Sequence, residues 1–296
     1  MPLGSNAIIH NAPVWSPKLS RPREIALYLL IFLFIAATFV LLPIQPGDDW
    51  TIFMRASQRV AAGTPLYGAP SIDLYYYPPW MAAILAPIGL LPLKWSYALL
   101  LAASLIAAVF LVRRYAAGRM KLVLFVLSPA MFYTLIHGQI DVLILAGVLL
   151  PAQWWPLLGV TKPQVALGLL FGVPRPKWRQ AAVIALGALA VSLLLFPDWP
   201  LVIFRDPPPF RWHTHNLWLG LWPFQVPVGI GLLLLGIQRN DERFLLSASP
   251  FLLPYAALSS LSGPWLATLS SLKDWQAGVI WLSWWGAVVY RGLGGV

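Results

Sequence analysis

From Glu24 to Pro43 the chain is a continuous apolar run of about twenty residues, rich in Ile, Leu, Phe and Ala, the length of helix that crosses the hydrocarbon core of a bilayer. At this length it reads as a span, not as a cleavable signal. Apolar runs of similar character recur almost to the C-terminus. Hydrophobic residues make up 59% of the 296 residues, charged residues only 10%, and mean hydropathy is +0.73. So few charges could not screen so much apolar surface from water, so the expectation is an all-α, polytopic membrane protein. The 28 Pro and 22 Gly interrupt apolar runs instead of forming low-complexity tracts. In lipid such breaks survive only where protein or a water-filled cavity satisfies the freed backbone. With no Cys, disulfides and thiolate metal sites are excluded.

The net charge of +10 does not point to nucleic acid, because the cations form short clusters between apolar runs and no continuous basic face. Such clusters orient membrane proteins, with Lys and Arg held on the cytoplasmic side. Lys18, Arg21 and Arg23 precede span 1 (24–43), which puts a tail of residues 1–23 inside and loop 44–78 outside. Segment 79–92 is too short to cross and reads as re-entrant or half-depth. Spans then follow at 94–112, 121–136 and 139–152, with a broken hairpin at 154–173 around Lys162-Pro163. Four more follow at 180–196, 217–237, 243–260 and 275–290, with outer loops at 198–215 and 261–274. About eight crossings, two short membrane segments and one interfacial helix thus form a single transmembrane domain over 1–296. This arrangement leaves thirteen Lys/Arg inside, six outside and Lys162 within the membrane.

Loop 44–78 carries the densest chemical signal. Trp50, Phe53, Met54, Val60 and Ala61 recur at helical spacing on one side, with Thr51, Arg55, Gln58 and Arg59 on the other. That pattern is an amphipathic helix in the outer interface, with Asp48 or Asp49 capping its start. The bland reading of these aspartates is cap and solvated loop. The functional one is a general base held beside a lipid head group. Tyr75-Tyr76-Tyr77-Pro78-Pro79-Trp80 reads first as an aromatic interface belt, or as tyrosines lining a sugar or prenyl-phosphate pocket. Asp141, one turn inside an apolar helix after His137-Gly138-Gln139, is a functional candidate by its depth, or a cap, or half of an ion pair. Lys162 snorkels to the cytoplasmic face or holds an anion at the broken helix. In the outer loop Arg205, Arg211, His213 and His215 suit phosphate oxygens. As zinc ligands the two His are weak, since no third ligand is fixed by the sequence.

Read in order, Asp49-Trp50, Phe53, Ala61-Ala62-Gly63-Thr64-Pro65-Leu66-Tyr67, Tyr77-Pro78-Pro79, Gly138-Gln139-Ile140-Asp141, Lys162-Pro163-Gln164, His215-Asn216-Leu217 and Ser249-Pro250 resemble the GT-C membrane glycosyltransferases of glycosyltransferase family 87. These are polyprenyl-phosphate-mannose-dependent mannosyltransferases and their bacterial relatives. The similarity runs from about residue 45 to 260. Where the family usually has Gly-Gln-x-Asn this chain has Asp141, and after Asn216 it reads Leu217-Trp218-Leu219-Gly220.

The resemblance implies a GT-C-like fold in a bacterial plasma membrane, with both termini cytoplasmic. It implies inverting transfer of a hexose, mannose first among them, from a polyprenyl-phosphate donor to an acceptor on the outer face. Asp49 is then the general base, matching the family position better than Asp48. Arg205, Arg211, His213 and His215 are candidates for the donor phosphate. Tyr77, Gln139, Asp141, Lys162 and Asn216 are candidates for the substrate pocket. No cofactor is expected, and a divalent metal is not indicated. The expected partners are the lipid-linked donor, membrane lipids and proteins of a membrane complex. Alternatives are a non-catalytic subunit of such a complex, or a small transporter using Asp141 and Lys162.

Overall fold

A computed structural model describes residues 22–67, 75–205 and 215–292, with only the backbone of 203–205 and 292. The described residues are helical, with no strand among them. Pro accounts for much of the segmentation. It lacks an N–H, so it is tolerated in the first helical turn and disruptive beyond it. After α1 (Pro22–Leu41) and α2 (Asp48–Ala61), Pro79 opens α3 (Pro79–Gly89), which precedes α4 (Leu93–Tyr115) and α5 (Arg119–Val126). Pro129 opens α6 (Pro129–His137), followed by α7 (Asp141–Ala146) and α8 (Trp155–Thr161), and Pro163 opens α9 (Pro163–Ala166). The rest comprises α10 (Trp178–Leu195), α11 (Trp199–Arg205), α12 (Val226–Arg239), α13 (Glu242–Ala248), α14 (Ser262–Ser271) and α15 (Asp274–Gly292).

Among the described residues three helices are long and apolar enough to cross a membrane: α1, α4 and the stretch Arg175–Leu195 that contains α10. A fourth follows if α5 and α6, bent by 49° at their junction, count as one. The apolar runs of the sequence predict about eight crossings. The difference lies in segments that break into short pieces. Residues 139–152 form α7 and a 3-10 turn at Gly147–Leu149. Only the second part of 217–237 is helix, as α12, and 243–260 divides into α13 and two 3-10 turns. Segment 261–274, expected to be an outer loop, instead contains α14, whose Trp265, Leu266 and Leu269 are buried. Its Ser and Gly residues look loop-like in sequence but serve as small surfaces for close packing. The short segments 79–92 and 154–173 are helical and short. The first is an eleven-residue helix, roughly 16 Å long, and the second is α8 and α9 joined at a break on Lys162.

The core lies around α4, with Ala102, Ala108 and Leu111 fully enclosed. Helices α1, α7 and α14 pack against α4, while α13 sits between α12 and α14. By contrast, α1 and α10 are almost wholly uncovered: Leu30, Phe34 and Leu194 are 65%, 74% and 82% exposed. An apolar surface that continuous is stable against lipid and not against water.

Lipid offers helices no hydrophobic incentive to associate, so packing and interhelical hydrogen bonds must hold them. The bend between α5 and α6 shows how. Ser128 caps α6 by accepting from the Met131 N–H (3.2 Å), which leaves the Leu127 carbonyl without its helical partner. Trp281 and Trp285, one turn apart on α15, both donate to that carbonyl, at 3.0 and 2.9 Å. Elsewhere Trp265 donates to the Leu124 carbonyl (3.2 Å), and the Gly168 N–H to Ser249 Oγ (3.0 Å).

Candidate functional site

The amphipathic pattern at 48–61 folds as α2, but its apolar side is protein-facing. Trp50, Phe53, Met54, Ala56 and Ser57 are buried, whereas Val60 is only half-buried and Ala61 exposed. The helix packs on α3, where Gln58 Nε2 donates to the Gly89 carbonyl (3.0 Å). Neither aspartate is its cap. Gly47 takes the N-cap position with no side-chain hydrogen bond, and Asp48 and Asp49 occupy the first turn, where the helix dipole favours carboxylates. Asp48 is exposed and Asp49 half-buried.

Two glycines join the start of α2 to the end of α6. A Cβ on Gly47 would lie 2.2 Å from the carbonyl carbon of His137, so backbone meets backbone there. Gly138 ends α6 in the left-handed region (φ +69, ψ 38), and a Cβ on it would lie 2.5 Å from Trp50 Cβ. Only glycine fits both the conformation and the gap. Trp50 is held from its other side by donating to Ser96 Oγ of α4 (3.1 Å). This interlock carries Gln139, the next residue, against Asp49.

From there a chain of polar side chains runs inward. Gln139 Nε2 donates to Asp49 Oδ2. Lys162 Nζ donates both to Gln139 Oε1 and to Asp141 Oδ2, and Ser260 Oγ donates to Asp141 Oδ1 at 3.2 Å. The order fixes the amide, because only its oxygen can face an ammonium and only its nitrogen a carboxylate. Lys162 and Asp141 are 2% and 0% exposed. Lys162 is therefore not snorkelling to a membrane face. Pro163 breaks the helix at Lys162, and the side chain turns into the protein to pair with Asp141, the first residue of α7. Burial pushes the Asp49 carboxyl above the ordinary value of 3.8. The Lys162 ammonium and His137 oppose that rise, while Asp141 and Asp48 add to it.

Tyr77 borders this chain, its ring 5.7 Å from Lys162 Nζ. Its segment is fastened to its surroundings by Tyr67, whose hydroxyl donates to the Tyr77 carbonyl (2.7 Å), and by Phe53, whose ring centroid lies 4.6 Å from that of Tyr77. On the other side of Asp49, His137 stacks on Tyr133 with centroids 4.1 Å apart, and the His215 ring lies 5.6 Å from His137. Asn216 serves the backbone. Its Oδ1 accepts from the N–H groups of Trp218 (3.1 Å) and Ala256 (3.2 Å), and its Nδ2 donates to the Pro254 carbonyl (2.9 Å). Arg211 and His213, and the side chain of Arg205, lie outside the described residues. Among the described residues no cluster of three or more His, Asp or Glu is placed to hold a metal ion.

The structure thus gathers Asp49, Gln139, Asp141, Lys162 and Tyr77 at one place, with His215 beside them across His137. It adds three residues that the sequence did not single out: Ser260, Tyr133 and His137 as a ring partner. A Ser-rich stretch inside apolar sequence, Leu258-Ser259-Ser260-Leu261-Ser262, was the signal for the first. Such an arrangement offers a half-buried carboxylate that burial makes hold its proton more tightly, backed by a buried cation. That is the equipment of a general base.

The model of glycosyltransferase family 87 matches residues 75–218. The matched stretch takes in Tyr77, the Gly138–Asp141 element, Lys162 and Asn216, and stops short of Asp49 on one side and Ser249-Pro250 on the other. No curated protein and no solved structure matches the chain.

Proposed function

On the match of residues 75–218 to the model of glycosyltransferase family 87, we propose that the chain is a glycosyltransferase of that family and that it moves a hexose, with mannose the first to test, from a polyprenyl-phosphate donor to an acceptor hydroxyl. The reading places the reaction on the outer face of a bacterial plasma membrane, in a GT-C-like chain of about eight crossings with both termini inside. Asp49 takes the proton of the acceptor hydroxyl. The oxygen attacks the anomeric carbon from the face opposite the lipid phosphate, the carbon–oxygen bond to that phosphate breaks, and the sugar is transferred with inversion. Histidines beside the site, His215 and His137, and the cations of the 205–213 loop would meet the charge that develops on the departing phosphate.

One observation carries this reading. Gln139, inside the family-matched stretch, is hydrogen-bonded to Asp49 outside it, so the matched residues converge on a carboxylate able to act as base. The test is transfer from polyprenyl-phosphate mannose, and from other polyprenyl-phosphate hexoses, by the purified protein in nanodiscs. Asp49→Asn is expected to keep a wild-type thermal unfolding profile and to lose transfer by at least about 10²-fold, the contribution of a general base. Turnover close to wild type in that variant would remove Asp49 from the role. A folded wild type that transfers no sugar from any such donor would refute the donor class.

A further inference from the structure

The buried ion pair behind Asp49 has no evident business with substrate. Lys162 and Asp141 are 2% and 0% exposed, so neither reaches a sugar or a phosphate without rearrangement of α7 and the α8–α9 break. As a device for stability the pair is a poor choice, since taking two charges out of water costs about as much as their attraction returns. Nor does the pair close on itself. Lys162 uses a second hydrogen bond on Gln139, whose other end is spent on Asp49. A donor polarised by a cation donates more strongly, so the ammonium is felt at the carboxylate through the amide as well as through space.

Resting on the reading of Asp49 as the base, we propose that Lys162, Asp141 and Gln139 are positioning residues for it: the amide fixes where the carboxylate sits, and the ion pair sets how much positive charge stands behind it. The two charges act in opposite senses. The ammonium favours the ionised carboxylate and the Asp141 carboxylate disfavours it. Asp141, where the family usually has Asn, therefore makes this base hold its proton more tightly than the cation alone would allow. The other groups that bear on Asp49 are Asp48 on α2, Tyr77 on the segment before α3, Tyr133 and His137 on α6, and Tyr255 before the last 3-10 turn.

The opposition of signs supplies the test. The acid limb of kcat/KM against pH is measured for transfer from polyprenyl-phosphate mannose in nanodiscs, with wild type, Asp141→Asn, Lys162→Met, the double variant and Asp49→Asn side by side. Asp141→Asn, nearly isosteric, is expected to move the acid limb to lower pH, because the cation is no longer neutralised. Lys162→Met is expected to move it to higher pH. Where Lys162→Met fails to fold, the double variant leaves no unpaired buried charge, and its limb is expected above that of Asp141→Asn. Gln139→Leu is expected to lower kcat by about 10²-fold, the effect of a base displaced by about 1 Å, with KM little changed. Coincident acid limbs in wild type, Asp141→Asn and the double variant would overturn the proposal and leave the pair a structural bridge. Activity in Asp49→Asn is the separate result that would overturn the base assignment itself.

Discussion

Alanine at Gly138 adds one carbon at the junction on which the site depends. Gly138 sits at φ +69, and the new Cβ would lie 2.5 Å from Trp50 Cβ and 3.2 Å from both Trp50 N and Tyr97 Cε2. Two costs follow. Holding an L-residue in the left-handed region costs about 1–2 kcal/mol. Carbon–carbon contacts are optimal at about 3.5–4.0 Å, so Trp50 must also withdraw by roughly 1 Å, and overpacking of that size costs about 1–3 kcal/mol. The total is about 2–5 kcal/mol. Gly63 supplies the control, because it has nearly the same φ, +65, with nothing within 4 Å of its Cβ position. Gly63→Ala should therefore pay only the backbone cost of about 1–2 kcal/mol. Trp50 follows Asp49 in α2, so the displacement is transmitted to the carboxylate and should cost about 10²-fold in transfer, while Gly63→Ala keeps wild-type turnover. Thermal unfolding in detergent and turnover per folded molecule measure the two effects. Equal unfolding temperatures and equal turnover for the two alanine variants would refute the interlock as the element that places Asp49.

The remaining predictions address separate features. Transfer by the wild type should fall as pH drops through the Asp49 value, which stands above 3.8. Because the folded-state value is raised, the fold itself binds that proton more tightly than the unfolded chain, so this group adds stability as pH falls and loses it as pH rises; melting curves recorded across the acid limb check that activity and stability part company there. Trp281→Phe or Trp285→Phe alone should be tolerated, since each leaves the other indole on the Leu127 carbonyl, whereas the double variant should destabilise by about 1–2 kcal/mol, read by thermal unfolding in detergent. Asn216→Ala should cost about 1–3 kcal/mol by leaving the N–H groups of Trp218 and Ala256 without their acceptor, with the loss seen in unfolding temperature and KM for the donor unchanged.

How far the sequence disclosed this can be followed residue by residue. The uninterrupted runs of α1 and α4 read directly, because a helix in lipid must satisfy its backbone internally and so announces itself by length. The amphipathic α2 read equally well from the spacing of Trp50, Phe53 and Met54. Its placement did not, because a hydrophobic face looks the same whether it meets lipid or protein. Segments 217–237 and 243–260 have enough apolar residues to cross, yet break at turns whose carbonyls and N–H groups find partners across the fold, as Asn216 does with 254–256. Lys162 and Asp141 each stood out as isolated charges in apolar sequence. Their pairing across 21 positions depends on how the α8–α9 break lies against α7, which no local pattern encodes. The necessity of glycine at 47 and 138 appears only when the two backbones meet, which no local pattern in the sequence encodes.

In lipid, apolar side chains gain little by leaving one apolar neighbour for another, so specificity of assembly falls to small residues and to polar groups that cannot afford to be left alone. This chain places both kinds at its candidate site. Gly47 and Gly138 let two helix ends touch, and the Asp49–Gln139–Lys162–Asp141–Ser260 chain joins α2, the α6–α7 turn, the α8–α9 break and the 3-10 turn at Leu258–Leu261. A polar chain that holds these elements together is also held by them, which is the condition for a carboxylate to keep its place while a proton and a lipid-borne sugar pass by it. Weakening the assembly at any of these elements should therefore lower turnover before it unfolds the protein.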